Sequence, residues 1–134
     1  MIEDNTHDLN VNDIDWDDVQ NIHKNNQGQL HRTDGPAVEY KNGTKYWCQE
    51  NKNHRIDGLP AVEFSCGSKE WWVNGERHRT DGPAVIHLDS AGPSLLMFYI
   101  NGVKLEESEF NNWIENNGTE WNEELEILFK LSYS

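Results

Sequence analysis

The sequence predicts a mainly β protein: an antiparallel β-hairpin repeat array of three units and about six strands, capped by two C-terminal α-helices. One phrase occurs three times. It reads His31-Arg32-Thr33-Asp34-Gly35-Pro36-Ala37-Val38, then His54-Arg55-Ile56-Asp57-Gly58-Leu59-Pro60-Ala61-Val62, then His78-Arg79-Thr80-Asp81-Gly82-Pro83-Ala84-Val85. The His-to-His spacings are 23 and 24 residues, and self-similarity at such a period marks a repeat architecture. Turn dipeptides follow aromatic β-formers at Asn74-Gly75 and Asn101-Gly102, as in tight hairpins. After Leu105 the apolar spacing becomes helical.

Residues 1–27 form an acidic arm. Its first 12 residues, rich in Asn and Asp, read as disordered, and 13–22 offers Ile14, Trp16, Val19 and Ile22 for docking on the first unit. The repeat domain spans 28–105, with strands expected at 37–40, 45–49, 61–64, 70–74, 84–88 and 95–101. Further turns fall at Lys41-Asn42-Gly43-Thr44 and Ser65-Cys66-Gly67-Ser68. Alternation puts Val38 and Tyr40 on one face, Ala37 and Glu39 on the other. Trp71 and Val73 share a face, as do Phe98 and Ile100, while Cys48, Trp72 and Tyr99 lie opposite. Aromatics on both faces imply a sheet covered on both sides or an exposed aromatic ladder. The helical cap is 106–134. Phe110, Trp113 and Ile114 mark its first helix, Gly118 the stop, Thr119 an N-cap, and Trp121, Leu125 and Leu128 a second stripe.

Hydrophobic residues make up only 35% of the chain, so its core is thin, as in repeat proteins; six tryptophans compensate by their large area. The net charge of −13 is segregated. Residues 1–20 hold seven acids and no Lys or Arg, 21–105 nine acids against ten bases, and 106–134 eight acids against one base. An acidic chain repels phosphate backbones, which argues against nucleic acid and leaves a basic protein partner or DNA mimicry. No apolar run approaches a membrane span, the N-terminus lacks the features of a secretory signal, and Cys48 and Cys66 make no disulfide framework. A reducing cytoplasm follows as the expected compartment.

The form Asn-Gly-x-x-His-Arg-x-Asp-Gly-Pro-Ala, followed by a Gly turn and an aromatic strand, resembles the MORN-like repeats of bacteriophage and large-virus proteins. The resemblance covers roughly 28–105, and Leu105 to Phe110 is similar to the way such proteins end their repeat block. The inserted Leu59 and Asn51 in place of Gly depart from it. The resemblance implies interaction roles in a host cytoplasm rather than catalysis.

Two uses compete for the His-Arg pairs. As a ladder of cations beside aromatics, His31, Arg32, His54, Arg55, His78 and Arg79 would suit a nucleotide. As builders of the repeat, Arg32–Asp34, Arg55–Asp57 and Arg79–Asp81 would each fix a turn. A shared metal is disfavoured, because equivalent histidines two strands apart are about 9–10 Å from one another. There is no P-loop, GxGxxG or Ser-His-Asp order, and Asp17-Asp18 reads as a charge run, so neither cofactor nor catalytic residues are expected. The leading expectation is a non-enzymatic viral inhibitor of a host protein such as an antiviral-defence component. Its surface would be Trp72 and Tyr99 flanked by Asp13, Asp15, Trp16, Asp17 and Asp18. Alternatives are a sponge for a nucleotide signal and a structural or assembly protein; an unpaired edge strand would allow homo-oligomers.

Overall fold

A computed structural model describes residues 14–133, and shows a mainly β protein with two C-terminal helices. The strands are β1 Val19–Ile22, β2 Val38–Tyr40, β3 Lys45–Tyr46, β4 Cys48–Gln49, β5 Lys52–Asn53 and β6 Val62–Glu63. They continue with β7 Lys69–Glu70, β8 Trp72–Val73, β9 Glu76–Arg77, β10 Val85–Asp89, β11 Gly92–Ile100 and β12 Val103–Leu105. Helices α1 (Glu107–Asn117) and α2 (Glu123–Tyr133) follow. Eight strands form one antiparallel sheet in chain order, β1-β2-β3-β6-β7-β10-β11-β12; β4-β5 and β8-β9 are separate hairpins.

The alternation of side chains decides the two faces of the sheet. One register row runs Ile22, Val38, Tyr46, Val62, Glu70, Val85, Met97, and its three valines are fully buried. The row behind it runs Glu39, Lys45, Glu63, Lys69, so charges of opposite sign face one another across each strand pair. Ala37, Ala61 and Ala84 are fully buried where the ladder is extended by Ala37 N–H to the Tyr46 carbonyl, Ala61 to Glu70 and Ala84 to Met97.

The second hairpins close over the valine face. Cys48 packs with Val38, Trp72 with Val62, and Tyr99 with Val85. This corrects the expected exposed ladder: Trp72 and Tyr99 are 2% and 1% exposed and cannot serve as surface anchors. The aromatic row that does reach the surface is Tyr40, Tyr46, Phe64 and His87, half-buried, with successive ring centroids 6.0, 6.3 and 6.5 Å apart. The tight turns of these hairpins have both central residues in the left-handed region: Glu50 and Asn51, Asn74 and Gly75, Asn101 and Gly102. That twist matches the strands they join.

Both termini depart in part from expectation. The segment expected as an arm supplies β1, which pairs with β2, and Ile14 is buried in the first core cluster. Asp13 and the stretch 1–12 expected to be disordered lie outside the described residues. At the other end Phe110, Trp113 and Phe129 pack on Ile100 and Leu105, so α1 and α2 close the last hairpin. The N-cap of α2 is Asn122, whose Oδ1 accepts from Leu125 N–H at 2.9 Å, and not Thr119. The helix therefore starts later than expected and faces differently. Leu125, Phe129 and Tyr133 turn inward, Trp121 precedes the helix, and Leu128 is exposed.

Candidate functional site

The three recurrent histidines hold turns. Each Nδ1 accepts the backbone N–H of the first left-handed residue in the hairpin turn that follows: His31 from Glu50 at 3.2 Å, His54 from Asn74 at 2.9 Å and His78 from Asn101 at 3.0 Å. Each imidazole must be unprotonated at that nitrogen to accept. The His N–H groups tie the hairpin back as well, His54 to the Trp47 carbonyl and His78 to that of Trp71. Burial lowers the pKa of His54 and takes that of His78 down to about 4, against a weaker upward pull from Glu126. Trp121 covers His78, ring centroids 4.7 Å apart, so the helical cap seals the last of the three.

The arginines form brackets. Arg55 lies 3.8 Å over the Trp47 ring and Arg79 3.8 Å over Trp71; Arg32, whose unit has no such Trp, places Nη1 3.2 Å from His23 Nε2. The same Nη1 atoms donate to the carbonyls of Pro36, Pro60 and Pro83. Arg32 and Arg79 also grip Asp34 and Asp81 through Nε, both at 2.8 Å, and the Arg32 bond and charge hold the Asp34 pKa below its usual value. Arg55 does not pair with Asp57. The inserted Leu59 accompanies positive φ at Asp57 and Gly58, and Arg55 takes Glu63 at 3.3 Å instead. At Gly35 and Gly82 the motif glycine is explained by the bracket and not by its φ; Gly58, in the altered loop, has a φ of 71° and no atom within 4 Å of a Cβ. A Cβ on Gly35 would sit 2.8 Å from Arg32 Cζ, and one on Gly82 3.0 Å from Arg79 Cζ.

The bracket makes a prediction. Asp81 is 60% exposed, so its ion pair adds little, and the stacking and the Pro83 bond carry the energy. Arg79→Ala should cost about 2 kcal/mol. Gly82→Ala should cost no more than that, because a flexible guanidinium can swing away and forfeit only the bracket. Combined, the two should cost what Arg79→Ala costs alone, as read from urea unfolding; simple additivity would show the glycine answering to something else.

Between successive loops lie two clefts of related lining. One, about 400 Å³, lies between Arg32–Gly35 and Arg55–Leu59 near Trp47; the other, about 520 Å³, lies between Arg55–Leu59 and His78–Asp81 near Trp71 and Trp121. A base cannot stack on Trp47 or Trp71 from the side where a guanidinium already rests at 3.8 Å. The six residues expected to hold a nucleotide are thus engaged in turns and brackets.

The acidic ends are at opposite edges of the sheet. Asp15 caps the turn Trp16–Asp18 through Oδ1 to Asp17 N–H, and Lys41 Nζ donates to the Asp17 carbonyl at 2.7 Å. Trp16 is 49% exposed, with Lys24 Nζ 5.3 Å from its ring. Seven strand spacings separate β1 from β12, roughly 34 Å at ~4.8 Å each. At the far end α2 exposes Ile127, Leu128 and Leu131 at 61%, 45% and 76%. Sequence reasoning missed that outward face because it groups Leu128 with Trp121 and Leu125 in one stripe; the spacing of Ile127 and Leu131 is its available signal. It also missed the half-buried row Tyr40, Tyr46, Phe64, His87 and the buried pair Glu70 and Arg77.

Among the described residues no group of three or more His, Cys, Asp or Glu could hold a metal ion, and no helix is long and apolar enough to cross a membrane. Comparison with known proteins brings no relative: no family model, curated protein or solved structure matches the chain.

Proposed function

We propose that the chain is a non-enzymatic protein-binding protein, an array of MORN-like hairpin units that holds two acidic, partly apolar ends apart for contact with a basic partner. The viral setting, a host target such as a defence component and a cytoplasmic site of action rest on the resemblance of the repeated phrase. The observation that carries the binding reading is the pairing of exposed apolar side chains with excess acid at each end: Trp16 beside Asp15, Asp17 and Asp18, and Ile127, Leu128 and Leu131 beside Glu123 and Glu124. Acidic groups steer and discriminate, and a few apolar anchors supply affinity. The His and Arg side chains, occupied by turns and brackets, support a scaffold role.

The test is capture from host lysate by the intact chain, at low and high salt, with the purified protein denatured and its supernatant analysed for nucleotides. A protein recovered at low salt and weakened at high salt is expected. Asp15→Asn, Asp17→Asn and Asp18→Asn together should slow its association several-fold. A released nucleotide with no protein recovered would replace this reading by the sponge; recovery of virion components alone would replace it by an assembly role.

A further inference from the structure

We propose that the outward face of α2 docks a cationic amphipathic helix of a partner protein. The inference rests on the protein-binding reading and names the chemistry of one of its two ends. Helix α2 carries two apolar faces. Leu125, Phe129 and Tyr133 pack inward on the last hairpin and α1. Ile127, Leu128 and Leu131 point the other way and are 61%, 45% and 76% exposed. With Glu124 they occupy i, i+3, i+4 and i+7, a straight stripe along one side of the helix, which is the footprint another helix packs against. Three adjacent exposed aliphatics in a chain only 35% hydrophobic are an expensive surface to leave wet.

Charge selects the occupant. Residues 106–134 hold eight acids and a single base, Lys130, and that base is already paired with Glu126 at 2.9 Å. Glu124 at the start of the stripe and Glu123 beside it supply negative charge. A second copy would bring the same acids to the same face, and repulsion disfavours it. A helix with Leu-like residues along one side and Lys or Arg beside them satisfies both the stripe and its border.

The intact chain is titrated by calorimetry with a Leu/Lys peptide whose leucines follow helical spacing, and with a control of equal charge in which Ser replaces Leu. The Leu/Lys peptide should bind, and the Ser control should not bind measurably. Ile127→Gln with Leu131→Gln should weaken binding by about tenfold or more, without loss of helical circular dichroism because both side chains are exposed. Glu123→Gln with Glu124→Gln should weaken it about threefold and flatten its salt dependence. Equal binding of the Ser control, or undiminished binding by the Ile127/Leu131 variant, overturns the proposal. Sedimentation showing a wild-type dimer that Leu131→Gln dissolves overturns it in favour of a second copy. The two readings fail separately. A lysate partner retained by the Ile127/Leu131 variant sinks this surface and leaves protein binding standing; peptide binding with no lysate partner does the reverse.

Discussion

Arg77→Met is expected to destabilise the protein by about 3–5 kcal/mol, the largest effect of any single substitution considered, because it removes the guanidinium that faces a buried carboxylate. Arg77 and Glu70 are 3% and 0% exposed, with Nη2 3.8 Å from Oε1. The guanidinium lies 5.0 Å from the Trp72 ring and 5.3 Å from that of Tyr99, and Nη1 is 3.5 Å from the Tyr99 hydroxyl. Glu70 also accepts from Trp72 Nε1 at 3.0 Å and meets His87 Nε2 at 3.2 Å. Neighbouring positions suggest the rescue. In the register row of Glu70 stand Tyr46 and Met97; in the place of Arg77, just before each motif histidine, stand Leu30 and Asn53. Glu70→Met with Arg77→Leu removes both charges and should recover most of the loss, since an apolar pair of similar volume commonly equals a buried ion pair. Urea unfolding of wild type and the two variants checks this, and a double variant as weak as Arg77→Met alone would show the pair to be stabilising in its own right.

Acid should weaken the fold through His78. Its folded pKa, about 4, lies below the ordinary 6.5, so the unfolded chain takes up the proton first as pH falls. The neutral imidazole's contribution is therefore complete above about pH 6.5 and lost progressively towards pH 4. The shift corresponds to stability on the order of 3 kcal/mol across that window. The structural cause is legible: a proton on Nδ1 abolishes the bond from Asn101 N–H, and Trp121 keeps water away. His78→Ala should cost about 2–3 kcal/mol at neutral pH by leaving that N–H unsatisfied and a gap beneath the indole. It should also flatten the pH dependence between 6.5 and 4. Equal slopes for wild type and variant, from chemical unfolding at several pH values, would assign the acid sensitivity elsewhere.

These two sites differ in how far they can be read from sequence. The turns at Asn74-Gly75 and Asn101-Gly102 and the first helix, with Phe110 and Trp113 inward, were legible because local chemistry decides them. The pairing of Arg32 with Asp34 and Arg79 with Asp81 was legible for the same reason, the partners being two residues apart. Arg55 broke that rule because one inserted residue, Leu59, alters a loop whose outcome depends on tertiary fit. Trp72 and Tyr99 were assigned correctly to a shared side of the hairpins, yet alternation tells only which residues face together and not which face is covered. β1 carries no copy of the His-Arg phrase, so its place in the sheet comes from pairing with β2, a contact that periodicity does not announce. The α2 boundary differs because both Thr119 and Asn122 are residue types that cap; Asn122 does so, and Trp121 before it packs over His78 instead of joining the helix.

The strand order has a kinetic consequence. Since the eight strands of the large sheet lie side by side in chain order, every pairing closes a short segment of chain and the entropic cost of each closure is small. The relative contact order is therefore low for a sheet of this size, and assembly can start at any hairpin and grow outward in both directions. Opening follows the reverse course: β1, paired only with β2 among the described residues, can detach at the cost of the first core cluster alone, while the other end is held shut by the helices packed on Ile100 and Leu105. The molecule thus unzips preferentially from its N-terminal edge.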